Sequence, residues 1–174
     1  MRVFYALTFH AKSKERIAGL IDDIEKISDK GRFVPQRNLH LTLQFIGESS
    51  LSQVETLINL MHEQMMSPPD LLTISFVSSF RKRNNDIVWA GIDENKRLVD
   101  FQRKLSSDLN SCHFISESIK YIPHITLGRE VILNQPISDV KVNPFQVEIE
   151  SFSLMESKRS NDKLVYEPVE SIIL

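Results

Sequence analysis

Hydrophobic and polar positions follow two different periods in the first third of the chain. The run "VFYALTF" at residues 3–9 is continuously apolar and predicts a buried strand. From Ser13 the apolar residues recur at helical spacing, which predicts an amphipathic helix carrying Ile17, Leu20, Ile21, Ile24 and Ile27. Gly31 and Pro35 predict a loop, and "HLTLQFIG" at residues 40–47 alternates as a second strand.

A second helix is predicted to begin at Ser52, because Ser52-x-x-Glu55 matches a capping box. Its apolar stripe consists of Val54, Leu57, Ile58, Met61 and Met65. Pro68 and Pro69 cannot continue a helix, so we expect it to end before them.

The second half repeats the order of strand, helix and strand. Residues 71–80 and 87–92 predict two strands, and Asp93 is expected to cap a helix that buries Leu98, Phe101, Leu105 and Leu109. Pro123 suits the first position of the next strand, in "KYIPHITLGRE". Two strands close the chain. The first changes parity near Glu150 and Ser151, which predicts a bulge, and the second is interrupted at Pro168.

An internal duplication relates the two halves. A shift of 84 residues, without gaps, superimposes residues of the same type or character: Tyr5 on Trp89, Ala6 on Ala90, Ile17 on Phe101, Ile21 on Leu105, His40 on His124, Thr42 on Thr126 and Leu43 on Leu127. Each half therefore carries His-x-Thr-Leu on a strand. Alternation from His40 places Thr42 and Gln44 on the same face as the histidine, and Leu41, Leu43 and Phe45 on the other.

Two related halves packed about a pseudo-twofold axis would bring His40 and His124 together across a cleft. Histidine titrates near neutral pH, so one ring can accept a proton while the other donates one. The hydroxyls of Thr42 and Thr126 can donate hydrogen bonds to oxygens between the rings. This set of groups suits in-line displacement at phosphorus and predicts a phosphodiester substrate.

Four other interpretations of the two motifs remain open. Two histidines can take part in a metal site, although neither motif strand carries a carboxylate in position to complete one. Catalysis by a serine or cysteine nucleophile lacks a recognisable motif, and Cys112 is expected at a helix end. A noncatalytic phosphate-binding module and a purely structural duplication are the remaining alternatives.

Composition narrows the class of partner. The 174 residues contain 21 Lys and Arg against 23 Asp and Glu, giving a formal charge of −2. A protein that follows a nucleic-acid duplex usually carries a strong basic excess, so we expect a small contact with a strand end or a small nucleotide. A single cysteine excludes an internal disulfide. No run is apolar enough for a signal peptide or a membrane span, so a cytoplasmic location is expected.

The motifs with their flanking residues resemble a known family. "HLTL" at His40 and "HITLGR" at His124 are similar to the paired His-x-Thr motifs of the 2H (two-histidine) phosphoesterase superfamily. The segments "MRVFYAL", "FVPQRNLHLTLQFIGE" and "YIPHITLGRE" resemble the bacterial and archaeal RNA 2′,3′-cyclic phosphodiesterases, long called 2′-5′ RNA ligases.

That resemblance implies an α+β fold of residues 1–174 as a single domain. Two intimately packed lobes would each form an antiparallel sheet with helices outside, and the motifs would line the groove between them. It implies hydrolysis of a terminal RNA 2′,3′-cyclic phosphate to a 2′-phosphomonoester, without a metal or other cofactor. We expect a monomer. Ligation, the reverse direction, depends on conditions that the sequence does not determine. Another small cyclic or 2′-5′ nucleotide is the alternative substrate.

The resemblance also implies a role for each motif residue. His40 resembles the general acid and His124 the general base, while Thr42, Thr126 and Arg129 resemble the ligands of the phosphate. Strict alternation from His124 puts Arg129 on the wrong face, so it joins the site only if the strand bulges or ends at Gly128.

Two aromatic residues close to the motifs, Phe9 and Tyr121, are candidates for stacking on a nucleobase.

Overall fold

The computed structural model describes residues 1–115 and 120–174. Its elements, in chain order, are β1 (Arg2–Phe9), α1 (Ala11–Glu25), β2 (Ser28–Phe33), β3 (His40–Glu48), α2 (Leu51–His62), β4 (Leu71–Arg81), β5 (Asp86–Ile92), α3 (Lys96–Ser111), β6 (His124–Leu133), β7 (Phe145–Ser160) and β8 (Lys163–Ile173). The predicted α+β class is confirmed.

The strands pair in two antiparallel groups that share β7. Their order is β2-β6-β5-β4-β7-β1-β3, with β8 also paired to β7. The start of β7 pairs with β4, and its later part pairs with β1 and β8. Although β3 and β6 are far apart in this order, they contact each other directly. The two groups of strands therefore curve towards each other and bring the two His-x-Thr strands together.

Helices α1 and α3 each pack against strands of the group to which the preceding strand does not belong. Helix α1 follows β1 but packs against β2, β6 and β7, and α3 follows β5 but packs against β3. The backbone N–H of Glu148 in β7 donates to Ser13 Oγ of α1 over 2.8 Å, and the Phe101 ring of α3 packs edge-on against Phe152 at 5.1 Å. One hydrophobic core accordingly contains buried side chains from both halves of the chain.

Most of the predicted elements are present, since the strong hydrophobic periods follow buried faces. The bulge near Glu150 is confirmed: Thr8 pairs with Ser151 and the next residue, Phe9, pairs with Ile149. At Pro168 the register of β8 shifts, but the strand continues through it.

The loop predicted around Gly31 is wrong, because residues 28–33 form strand β2. Within the described residues this segment is an edge strand that pairs with β6 alone. It is largely exposed, so its sequence "SDKGRF" carries no apolar alternation.

Both predicted helix caps are also wrong. Ser50, rather than Ser52, forms the capping box of α2: its hydroxyl accepts from the N–H of Gln53, whose side chain accepts from the N–H of Ser50. Asn95, rather than Asp93, caps α3 by accepting from the N–H of Leu98 over 2.9 Å. In each case an alternative cap residue two positions away satisfies the first turn, a choice that local sequence does not resolve.

Candidate active site

A cleft of about 350 Å³ lies between β3 and β6. Its walls include all five residues selected from the sequence: His40, Thr42, His124, Thr126 and Arg129. The two motifs come from different groups of strands, so the cleft exists only when both halves are in place.

A β-bulge follows the threonine in each motif strand. In β3, Thr42 pairs with Ala6 and Gln44 with Tyr5, which leaves Leu43 as the extra residue. In β6, Thr126 pairs with Trp89 and Gly128 with Val88, which leaves Leu127 as the extra residue. The two bulged leucines are 84 residues apart, so the irregularity belongs to the repeat.

Each bulge reverses the alternation of the residues that follow it. Arg129 therefore lies on the cleft side of β6. From the sequence, this position required a bulge or strand end at Gly128, and the bulge at Leu127 meets that condition. The same shift brings Phe45 into the cleft, where its side chain is 57% exposed. The prediction that Phe45 lies on the same side of the strand as Leu41 and Leu43 is therefore wrong. Phe45 and Arg129 occupy equivalent positions in the two halves.

Each half of the chain supplies the hydrogen bond that satisfies the other half's bulge. The carbonyl of Leu43 accepts from Nε2 of Gln102, a buried side chain of α3, over 3.3 Å. The carbonyl of Leu127 accepts from the backbone N–H of Val34 over 2.9 Å. The extra residue of a β-bulge falls outside the regular ladder, so its backbone groups take their hydrogen bonds from elsewhere.

The two imidazoles are held in the same way. Nδ1 of His40 lies 2.6 Å from the carbonyl of Asn38, and Nδ1 of His124 lies 2.7 Å from the carbonyl of Ile122. A carbonyl only accepts, so Nδ1 carries the proton in both rings, and Nε2 is the nitrogen available for proton transfer. Nε2 of His40 lies 3.2 Å from Oγ1 of Thr42.

Aromatic rings flank both histidines. His40 packs against Phe4 and Tyr166, with ring centroids 5.1 Å and 4.9 Å away. His124 packs against Phe80 and Trp89, at 5.3 Å and 5.7 Å. The backbone carbonyls and these rings together fix the orientation of each imidazole before any ligand binds.

The electrostatic environment of His40 disfavours its charged form. Burial lowers the pKa of His40 to about 4, because enclosure by protein removes the water that solvates an imidazolium. The positive side chains of Arg129 and Lys14 and the ring of His124 lower this pKa further, and the carbonyl of Asn38 opposes the shift. His40 is therefore neutral at pH 7 when the cleft holds no anion.

Arg129 forms no ion pair or side-chain hydrogen bond with any residue that the structure describes. The neighbouring carboxylate of Glu130 is instead held by Arg32, which donates to it from Nε and Nη2 at 2.9 Å each. A Cβ at Gly128 would approach the Phe33 ring to 2.9 Å, so glycine provides the space for this bend in the strand. The guanidinium of Arg129 remains available for an anion in the cleft.

The stacking candidates differ in their positions. Phe9 is fully buried in the core, so its proposed contact with a base is wrong. Tyr121 lines the cleft, and its hydroxyl donates to the carbonyl of Thr42 over 3.2 Å. Phe45 and Phe80 also line the cleft and were not selected from the sequence. The repeat contained a signal for Phe45, because the 84-residue shift superimposes it on Arg129.

The described residues contain neither a metal-binding cluster nor a membrane-spanning helix. Among residues 1–115 and 120–174, no group of three or more His, Cys, Asp or Glu side chains is placed to hold a metal ion. Within the same ranges, no helix has the length and hydropathy needed to cross a membrane.

Comparisons with known sequences identify related proteins. Residues 13–161 match the model of the 2′-5′ RNA ligase superfamily. An RNA 2′,3′-cyclic phosphodiesterase of Thermotoga maritima is 26% identical over 163 residues, covering 90% of this chain and 87% of the relative. The Escherichia coli (strain K12) enzyme of the same name is 26% identical over 169 residues, covering 97% and 93%. The names of these relatives agree with the enzyme class predicted from the sequence.

Solved structures share the fold over the whole chain. Escherichia coli LigT complexed with ATP superimposes with a TM-score of 0.76 at 25% identity, covering 99% of this chain and 97% of the other. TT0787 of Thermus thermophilus superimposes with a TM-score of 0.79 at 21% identity, covering 100% of this chain and 98% of the other. This second similarity shows a shared fold. The paired motifs, the fold and the match over residues 13–161 lead to one conclusion: this chain belongs to the 2′-5′ RNA ligase superfamily.

Proposed function

We propose that this protein hydrolyses the terminal 2′,3′-cyclic phosphate of RNA to a 2′-phosphomonoester, without a metal ion. The observation that carries the proposal is the pair of equivalent histidines, His40 and His124, which line one cleft with Nδ1 bonded to a carbonyl. Both motifs come from one chain, so a monomer contains the complete site.

The proposed reaction divides the proton transfers between the two rings. Neutral His124 accepts a proton at Nε2 from a water molecule, whose oxygen attacks phosphorus. The bond from phosphorus to the 3′ oxygen breaks, and protonated His40 gives its Nε2 proton to that oxygen. The phosphate stays on the 2′ oxygen, and the rings return to their starting states by exchanging protons with solvent.

Thr42, Thr126 and Arg129 bind the nonbridging phosphate oxygens in this proposal. The hydroxyls donate one hydrogen bond each, and the guanidinium adds charge-assisted donors where negative charge develops. Ligation is not the reverse of this hydrolysis but the same displacement with a 5′ hydroxyl in place of water. The 5′ oxygen gives its proton to His124 and attacks phosphorus, the bond to the 3′ oxygen breaks, and a 2′-5′ phosphodiester forms.

The role of His40 as the acid requires substrate to change its protonation. Its pKa of about 4 leaves the ring neutral in the free protein at pH 7. A bound phosphate adds negative charge beside it and compensates the positive charges of Arg129 and Lys14, two of the groups that lower this pKa. In this proposal the anionic substrate raises the pKa of His40, and the ring takes up the proton that it later gives to the 3′ oxygen.

The nucleotide character of the substrate is supported by the aromatic residues of the cleft. The exposed ring of Phe45 lies on the same side of β3 as the motif residues and offers a face for a nucleobase. The relatives are named RNA 2′,3′-cyclic phosphodiesterase, so RNA with a 2′,3′-cyclic phosphate is the substrate to test first.

A short RNA ending in a 2′,3′-cyclic phosphate provides the direct test. Incubation with the protein in excess EDTA should give a single product, and ³¹P NMR should place its phosphate on the 2′ oxygen. A 3′-phosphate product would overturn the assignment of the leaving oxygen. Activity that disappears with EDTA and returns with one divalent ion would replace acid–base catalysis by a metal site. Tight binding without turnover would identify a phosphate-binding module.

A further inference from the structure

A second cavity, of about 320 Å³, lies next to the cleft on the His40 side. His40, Asn38 and Tyr166 line both spaces, so the histidine stands between them. The second cavity is formed where β1, β7 and β8 meet the beginning of α1 and the turn before β3.

The walls of this cavity carry positive charge without a matching partner. Lys14 and Arg37 both line it, and neither side chain forms an ion pair or a hydrogen bond with the residues that the structure describes. Lys14 is close enough to His40 to lower the pKa of that ring by its charge. Arg37 is exposed and Lys14 is partly exposed, so a ligand can reach both.

Hydroxyl groups and one carboxylate complete the lining. Thr8, Ser151, Ser153 and Ser171 form a continuous chain of hydrogen bonds of 2.6, 2.7 and 2.7 Å. Glu150 also lines the cavity and supplies an acceptor, with Nδ1 of His10 3.9 Å from its Oε1. Cations that bind phosphate and an acceptor that binds a sugar hydroxyl match the groups of an RNA backbone.

We propose that this second cavity binds the phosphodiester that joins the terminal nucleotide of RNA to the nucleotide before it, with Lys14 and Arg37 as its ligands. The inference rests on the proposed function. In an in-line displacement the attacking water and the departing 3′ oxygen lie on opposite sides of phosphorus. The acid, His40, marks the departing side, so the terminal ribose and the chain attached to its 5′ carbon lie towards the second cavity.

This placement separates two classes of substrate that the catalytic cleft alone treats alike. A 2′,3′-cyclic mononucleotide fills the cleft but has no phosphodiester for Lys14 and Arg37. A dinucleotide ending in the same cyclic phosphate reaches both spaces. We therefore assign the enzyme a preference for the 3′ end of an RNA chain.

The test compares these two substrates in four proteins: wild type, Lys14→Gln, Arg37→Gln and the double variant. The measured quantity is the ratio of kcat/KM for the dinucleotide to kcat/KM for the mononucleotide, which cancels any effect on the shared chemistry. Wild type should favour the dinucleotide, and each substitution should lower the ratio about tenfold, the loss expected for a hydrogen bond to a charged group. Lys12→Gln, an exposed lysine on the same turn of α1, is the matched control and should keep the ratio.

Equal losses on both substrates would show that Lys14 and Arg37 act only through His40 and would overturn the inference, as would a wild-type ratio near one. Titration calorimetry with a dinucleotide 2′-phosphate and with 2′-AMP separates this outcome from failure of the proposed reaction. Wild type should bind the dinucleotide more tightly and the double variant should not, whether or not hydrolysis occurs. Identical affinities of the two proteins for the dinucleotide would exclude the subsite.

Discussion

The two motif strands have the same backbone geometry around the histidine and the threonine. They differ in the third residue after each threonine. In both, Nδ1 of the histidine is bonded to the carbonyl two residues earlier, and a bulged leucine follows the threonine. In β3 the bulge presents Phe45 to the cleft, whereas in β6 it presents Arg129. One backbone geometry therefore gives the cleft an aromatic side and a cationic side.

The surroundings of the histidines also differ. His40 is enclosed between the two cavities, and its pKa is lowered to about 4, mainly by burial. Lys14 and Arg129 lie near it on opposite sides, one lining the second cavity and one lining the cleft. Duplication thus supplied two equivalent imidazoles, and the residues around them made the two positions chemically unequal.

The largest effect is expected from removing either imidazole. His40→Ala and His124→Ala should each lower kcat by roughly 10²–10⁴-fold, the range for loss of a general acid or base. The pH–rate profile of the wild type should be bell-shaped, and each variant should lose one limb of it. Circular dichroism melts check that both variants remain folded.

A substrate with a very good leaving group distinguishes the roles of the two rings. It needs little help from an acid, so it should partly restore activity to the variant that lacks one. We expect rescue of His40→Ala and none of His124→Ala. Rescue of the second variant alone would exchange the two roles, and near-full activity of both folded variants would refute catalysis by these residues.

The next largest effect is expected at the residues proposed to bind phosphate. Arg129→Gln, Thr42→Val and Thr126→Val should each lower kcat/KM about tenfold or more, corresponding to roughly 1.5–3 kcal/mol for a hydrogen bond to a charged group. Steady-state kinetics measures the loss. Arg32→Gln is the control for Arg129, because the charge of Arg32 on β2 is already paired with Glu130, the residue that follows Arg129 on β6. Unchanged kinetics in all three variants would restrict these residues to a structural role.

Phe45→Ala tests the aromatic side of the comparison. Loss of base stacking should weaken substrate binding by about 1–3 kcal/mol, which raises KM with little change in kcat. Phe45→Tyr keeps the ring face and should retain the wild-type KM. A KM unaffected by Phe45→Ala would show that the equivalence of Phe45 and Arg129 is one of backbone position alone.

Gln102→Leu tests how the bulge in β3 is held. The substitution leaves the buried carbonyl of Leu43 without its partner, a loss of about 1–3 kcal/mol of stability. Because Phe45 depends on that bulge, KM should rise by less than it does in Phe45→Ala. Ser106→Ala, one turn along α3, removes the hydroxyl that bonds the side chains of Gln102 and Gln44 while keeping the Leu43 contact, and serves as the control. An unchanged melting temperature and KM would show that the bulge forms without this bond.

The smallest effect, and the sharpest measure of the asymmetry, is the protonation of His40. NMR titration of the free protein should place its pKa near 4, and saturation with 2′-AMP should raise it. In an unfolded chain histidine titrates near 6.5, so the unfolded state binds more protons between about pH 4 and 6.5. The stabilising contribution is thus complete above pH 6.5 and is lost as the pH falls towards 4. His40→Gln should flatten the fall of melting temperature across this window, and an equally steep fall would contradict the shift.

Sequence alone was sufficient where a residue's environment follows from local periodicity. The apolar periods located three helices and seven of the strands, and the 84-residue repeat paired His40 with His124 before any fold was known. Prediction from sequence failed at β2, whose edge position leaves the strand without a buried face. It also failed at the two helix caps, where neighbouring polar residues compete for the same N–H groups.

The sequence by itself selected the residues that are proposed to carry the chemistry, because motif and repeat are properties of residue order. Only the tertiary structure decided which face they take. Bulges at Leu43 and Leu127 place Phe45 and Arg129 in the cleft, and the carbonyls of the two bulged leucines accept hydrogen bonds from Gln102 and Val34 in the opposite halves. A one-residue change of register turns every later side chain to the other face of a strand, and distant partners set that register.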